Sequence, residues 1–207
     1  SIAACLELAQ KFGVKAGAHP SFDDKKNFGR VQLDWDRVRF RESVTNQLHS
    51  YNTIASSMGI DLNHIKMHGA LYHATAHSKK FAEWYVELLQ DHFPEIPVYG
   101  LPNSVLHHLC RESSQPFVAE AFADRAYSPD GTLVDRTEKG AVLNTAIEVA
   151  NQVDAIVNDH QVVTSDGSTI PMTGDTFCIH GDNQQLVQHM PEVIQFLHNR
   201  NIGIAKS

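Results

Sequence analysis

Three of the chain's 13 histidines share a setting that the others lack. His19 closes the run Val14–Ala18 and precedes Pro20. His68 closes Ile65–Met67 and precedes Gly69, and His180 closes Phe177–Ile179 and precedes Gly181. Each stands where a short apolar run gives way to a tight turn. If those runs are buried strands of a parallel sheet, the histidines sit at the strands' C-terminal ends, the edge where such folds bind ligands and do chemistry. Imidazole suits that edge as a metal ligand or as an acid and base near neutral pH. His49, His77, His92, His107, His108, His189 and His198 instead fall in helical or flanking polar stretches and read as surface residues.

Carboxylates and cations accompany them. Glu120 directly follows the run Phe117–Ala119, Asp124 stands beside Arg125, and Asp182 follows His180 by two. Such groups can ligate a metal, activate water or orient a histidine. Glu120 is the stronger candidate, because Asp124 reads equally well as an ion pair with Arg125. Lys66, two residues before His68, points to the same side of its strand and needs a carboxylate or an anionic ligand as partner. Two loops look built for a ligand: Pro20 to Arg30, with a turn glycine and a cation, and His68 to Tyr72, with small residues that let backbone N–H groups approach an anion. Neither is a phosphate-binding P-loop or a dinucleotide fingerprint.

The elements that must position these groups are legible in the hydrophobic spacing. Phe40, Val44, Leu48, Tyr51, Ala55 and Met58 mark one face of a helix capped by Asp36. Phe81, Tyr85 and Leu88 repeat the pattern, Leu143, Ile147, Ala150 and Val157 do so more loosely, and Met190, Val193, Ile194 and Leu197 line a last stripe. Pro191 there suits a first helical turn. Short apolar runs lie between: 14–18, 65–67, 98–100, 117–119, 177–179 and 202–204. Alternating strand and helix predicts an α/β fold with a parallel sheet, open or closed into a barrel. The chain opens on a helical pattern, Ile2, Cys5, Leu6, Ala9 and Phe12, with no strand before it.

Composition narrows the class. The 207 residues carry 17 Lys+Arg against 24 Asp+Glu, a formal net charge of -7, which argues against a general nucleic-acid binder with its basic face. No apolar run approaches the roughly 20 residues that span a bilayer. Three cysteines without metal-type spacing fit a reducing cytoplasm. The length predicts a single domain over residues 1–207.

Gly17-Ala18-His19-Pro20-Ser21-Phe22-Asp23, then Phe28-Gly29-Arg30, then Lys66-Met67-His68-Gly69-Ala70-Leu71-Tyr72 resemble the lactam-utilisation family of LamB/YcsF type. Glu120-Ala121-Phe122-Ala123-Asp124-Arg125, with Tyr127, Asp130-Gly131, Arg136 and His180-Gly181-Asp182, continue the match in the same order. The resemblance runs from about Val14 to the C-terminus. It implies an irregular seven-stranded (β/α) barrel of the glycoside hydrolase/deacetylase type. Members of the family begin with an acidic strand motif and a second motif ahead of the helix that opens this chain. The expectation is therefore a barrel without its N-terminal strands, whose open seam favours self-association into a homo-oligomer.

The resemblance further implies the A component of an ATP-dependent 5-oxoprolinase, opening the lactam of 5-oxo-L-proline to L-glutamate with separate B and C components. ATP is the implied cofactor, with a divalent metal ion beside His19. His68, Glu120, His180 and Asp182 become the catalytic candidates, and Arg30, Lys66, Tyr72 and Arg125 the substrate-binding ones. Two further readings stay open: a metal-dependent hydrolase or deacetylase acting on an N-acyl or carbohydrate substrate without ATP, and a non-catalytic binding subunit.

Overall fold

The computed structural model describes residues 1–205, which fall into two compact units, Ser1–Val118 and a second beginning at Ala119. The first unit carries helices α1 (Ile2–Phe12), α2 (Arg37–Ser57), α3 (Gly69–His77), α4 (Lys79–His92) and α5 (Val105–Glu112), with strand β1 (Val98–Gly100). Strand β2 (Phe117–Phe122) runs across the boundary. The second unit continues with α6 (Ala146–Asn158), β3 (Gln161–Val163), β4 (Thr169–Pro171), β5 (Thr176–Cys178), α7 (Gln184–Gln188) and α8 (Met190–Asn199).

In the first unit the expected parallel strands are neighbours. Ala18 bridges Ile65 and Ile65 bridges Val98, both in parallel. The Ala18 N–H donates to the His64 carbonyl, the Lys66 N–H to Ala18 and the Tyr99 N–H to Ile65. Only Ala18 of the run 14–18 makes a bridge, and Val14 is exposed, so this strand is shorter than its apolar content suggests. Helix α2 begins where expected: the Asp36 side chain accepts from the Arg39 N–H, and Phe40, Val44, Leu48, Tyr51 and Ala55 are buried. An aromatic cluster of Phe22, Trp35, Phe40 and Phe81 packs edge-on or tilted at centroid distances of 4.8–5.9 Å. The His64 ring packs directly on Gly17, where a Cβ would lie 2.4 Å from the ring.

In the second unit β2 and β5 pair in parallel, with Glu120 opposite Thr176 and Phe122 opposite Cys178. The strand thus extends beyond the 117–119 run, so Glu120 lies within it, and Asp124 is the acid just past its end. Helix α6 is held by a capping box between Thr145 and Glu148. Its buried face is Ala146, Val149, Ala150, Val153 and Ile156, offset from the looser stripe through Ile147 and Val157, which are exposed. Ala146, Val149, Ala150 and Val153 of that face pack with Leu186, Val193 and Leu197 into one apolar cluster. Pro191 occupies the first turn of α8. The expected strand 202–204 does not form; the Ile202 N–H instead turns back to the Leu197 carbonyl. An antiparallel hairpin, β3–β4, fills a stretch with no strand expectation, its turn built around Asp166 and Gly167.

Candidate functional site

The first unit holds His19, Arg30, Lys66, His68 and Tyr72. His19 follows the bridge at Ala18, and His68 is the N-cap of α3, so both stand at C-terminal strand ends as the sequence suggested. His68 gives the helix no side-chain cap. Its ring turns to His19, with Nδ1 3.0 Å from His19 Nε2, and its Nε2–H donates to the Phe28 carbonyl at 2.8 Å. The far nitrogen of His19, Nδ1, donates to the Lys66 carbonyl at 2.7 Å. Each imidazole is therefore anchored by one N–H on a backbone oxygen, and the two remaining nitrogens face each other.

The loop that supplies the Phe28 carbonyl is tightly built. Asp24 accepts from the Asn27 N–H through its side chain and from the Gly29 N–H through its carbonyl. Phe28 is left at φ 56°, a left-handed conformation that a bulky side chain rarely adopts. The Arg30 guanidinium lies over the Phe28 ring at 5.3 Å, and Lys66 Nζ over the Tyr72 ring at 5.7 Å. The segment His68–Tyr72 is not an open anion loop. It is the first turn of α3, and its Ala70 N–H donates to the Gly29 carbonyl. The close approach demands Gly69, at φ 57°, where a Cβ would lie 2.6 Å from that same oxygen.

A cavity of about 570 Å³ opens beside His19, walled by Leu6, Gly17, Gln47 and Tyr51 among others. The Tyr51 hydroxyl is buried without a hydrogen-bond partner, and burial raises its pKa. The walls are thus mainly apolar with a few polar atoms, the usual character of a small-molecule site.

The second unit holds Glu120, Arg125, His180 and Asp182. His180 ends the stretch after β5, and both its backbone N–H and its ring Nδ1–H reach the carboxylate of Asp124, each at 2.9 Å. Asp124 is fully buried, whereas the His180 side chain is 27% exposed. The carboxylate fixes the tautomer, leaving Nε2 as the ring's lone pair. Asp124 thus serves His180, a partner 56 residues away, rather than adjacent Arg125. Its sequence setting suggested only the ion pair; its position just past the end of β2 was the available signal.

Arg125 is buried and spends its donors on the Ala141 and Val134 carbonyls, so it clamps the loop between them. Burial lowers its pKa, and the nearby Arg136 charge adds to that. Asp182 is held by both terminal nitrogens of Arg136, at 2.7 and 3.2 Å, and this bond raises the Arg136 pKa. Glu120 is buried within β2. Two further groups support this region: Tyr127, which the sequence marked only through the family resemblance and whose hydroxyl accepts from the Phe122 N–H, and Gln152, which carried no sequence signal and whose amide donates to the Phe122 and Arg125 carbonyls.

No group of three His, Cys, Asp or Glu with metal-binding geometry occurs among the described residues. His19 and His68 are the residues that would hold the implied divalent ion; their facing ring nitrogens lie 3.0 Å apart, and the outer nitrogen of each ring meets a backbone carbonyl.

Comparison with known proteins gives these motifs a context. The LamB/YcsF family model matches residues 1–207. The chain is 32% identical over 199 residues to the A subunit of 5-oxoprolinase from Haemophilus influenzae strain PittEE, covering 96% of this chain and 81% of that protein. It is 33% identical over 204 residues to the corresponding 5-oxoprolinase component of Neisseria meningitidis strain Z2491, covering 99% and 83%. The lactam utilization protein from Thermus thermophilus superposes with a TM-score of 0.87 at 28% identity, covering 98% of this chain and 81% of that one.

Proposed function

Because the chain belongs to the LamB/YcsF family, we propose that it is the A component of a 5-oxoprolinase, a hydrolase that opens the 5-oxo-L-proline lactam to L-glutamate. The observation that carries a hydrolytic role is His180 held by the buried Asp124 carboxylate. A histidine so oriented takes a proton from water at Nε2, and the carboxylate stabilises the imidazolium that forms. The names of the relatives support the lactam as substrate.

A lactam amide is a poor electrophile, so the reaction is read as ATP-dependent, with phosphorylation of the amide oxygen turning it into a better leaving group. One water adds across the ring C–N bond, and a second ends in inorganic phosphate, giving glutamate, ADP and phosphate. Arg30, Lys66 and Tyr72 are proposed to recognise anionic substrate groups. A divalent ion held by His19 and His68 would supply Lewis-acid polarisation of a carbonyl. Glu120 and Asp182 remain candidates for proton transfer, with the Asp182 carboxylate engaged by Arg136. Arg125 is better read as positioning the loop than as touching substrate.

The relatives are named as one lettered subunit of their enzyme, which supports partner components, proposed as B and C. No helix among the described residues is long and apolar enough to cross a membrane, and a cytoplasmic location is proposed. An irregular seven-stranded (β/α) barrel over residues 1–207 is likewise proposed, supported by parallel pairing that alternates with helices.

The test is turnover of 5-oxoproline by the purified chain with and without ATP and the B and C components. Glutamate formed only in the complete mixture, and lost on His180→Gln, is the expected result. Equal turnover without nucleotide would favour the metal-dependent hydrolase. Full turnover by B and C without this chain would remove the catalytic role.

A further inference from the structure

The loop after β2 is built as an arm that holds out one guanidinium. Arg125 clamps its base by donating to the Ala141 and Val134 carbonyls, and the Val134 N–H donates to Ala126. At the tip, the Asp135 carboxylate accepts from the Thr137 N–H and hydroxyl at 2.8 and 2.7 Å. Arg136 stands inside that turn, and its two terminal nitrogens donate to both oxygens of Asp182 at 2.7 and 3.2 Å. The stretch that carries Asp182 is fixed on both sides. The His180 N–H is held by Asp124, and the Asn183 amide donates to the Leu143 carbonyl at 2.9 Å. Two prebuilt backbones thus meet through a bidentate ion pair, two residues along the chain from His180.

We propose that Arg136 receives the carboxylate of the substrate, with Asp182 as the group that this carboxylate displaces. The proposal rests on the lactam reading, whose substrate carries one carboxylate, and adds a specificity-determining residue to it. The guanidinium fork fits any planar carboxylate, so a substrate carboxylate makes the same two bonds that Asp182 makes. The pair is also open to exchange, with the Asp182 side chain 53% exposed and that of Arg136 24% exposed. Water screens such a pair and makes it weak, and swapping one carboxylate for another keeps the charge on the arm balanced. The location is the C-terminal edge of the parallel pair β2 and β5, where ligands of such sheets bind. Asp124 is near enough for its charge to raise the Arg136 pKa, an effect smaller than that of the Asp182 bond. A carboxylate seated on Arg136 therefore carries the lactam ring toward His180. In this role Asp182 aims the guanidinium and competes for it, rather than acting as a base.

The experiment compares Arg136→Met and Asp182→Asn in the enzyme reconstituted with its B and C components, with binding of 5-oxoproline read by calorimetry. Arg136→Met should weaken binding by roughly ten- to a hundredfold. Asp182→Asn removes the competitor and should tighten binding by about two- to fivefold. The carboxylate-free analogue 2-pyrrolidinone should bind wild type and Arg136→Met alike, and the exposed control His198→Gln should change nothing. A purely structural bridge predicts the opposite pattern, because either substitution breaks it. Equal weakening by both variants, or loss of the analogue in step with 5-oxoproline, would overturn the proposal, and so would full affinity in Arg136→Met. Failure of the lactam reading shows separately, as neither binding nor turnover of 5-oxoproline by the complete wild-type mixture. The nitrogen-15 resonance of Arg136 Nε then decides, titrated with glutarate in wild type and in Asp182→Asn. A shift that comes at lower glutarate in Asp182→Asn supports the exchange, and no shift in either protein overturns it.

Discussion

One carboxylate, that of Asp124, receives both the backbone N–H and the ring Nδ1–H of His180, each at 2.9 Å. The backbone bond fixes where the histidine stands and the ring bond fixes which nitrogen keeps its proton, so a single buried acid settles position and tautomer together.

Asp124→Asn separates those two duties. The amide oxygen can still accept from the backbone, but the charge that stabilises an imidazolium is gone. Turnover by the reconstituted enzyme should fall by about 10²–10⁴, with KM changed far less. Unfolding in urea should show a loss of only about 1–3 kcal/mol. A variant with full kcat would detach Asp124 from the chemistry.

Lys66→Met removes a charge while keeping most of the stem that lies against Tyr72. If Lys66 contacts an anionic group of the substrate, binding should weaken by roughly ten- to a hundredfold, equivalent to about 1.5–3 kcal/mol. Calorimetry of 5-oxoproline binding reads this directly, with His198→Gln as the control. Identical affinities would place Lys66 outside the binding site.

Gln152→Ala tests what holds the loop around Asp124. The Gln152 amide spans the Phe122 and Arg125 carbonyls at 2.7 and 2.9 Å, either side of that acid. Losing it strands carbonyls in a buried region and should cost about 1–3 kcal/mol in denaturant unfolding. Turnover should fall as well, since the loop carries Asp124.

The His64 ring stacks on Tyr99 at 4.1 Å, and its pKa is lowered by burial first and by the Lys66 charge second. A histidine with a depressed folded-state pKa binds its proton more readily when unfolded. Its contribution to stability is therefore present above the unfolded value of about 6.5 and is lost as pH falls through the lower folded value. Stability measured by urea unfolding should decline with acidification in that window, and His64→Gln should flatten the decline. An unchanged slope would assign the acid sensitivity to other groups.

What the sequence determined by itself was local. The 3.6-residue spacing from Phe40 to Ala55 specified α2 and its buried face, with Asp36 as its cap, because a helix must bury one stripe and satisfy its first N–H groups. The strand-then-turn setting of His19, His68 and His180 placed each at a C-terminal strand end, because apolar runs followed by Gly or Pro rarely continue. The tertiary structure decided pairing and extent. Asp124 reads beside Arg125 in sequence, yet the turn after β2 delivers it to His180. Only the parallel register with β5 carries the strand past Ala119 and places Glu120 inside it. The run Ile202–Ile204 is apolar enough for a strand, but after α8 its first N–H finds an acceptor in the preceding helix, so no ladder forms. His19 and His68, 49 residues apart, meet only because parallel neighbours align their C-terminal ends. Periodicity encodes which face of an element is buried; which partner meets that face depends on contacts that spacing along the chain does not encode.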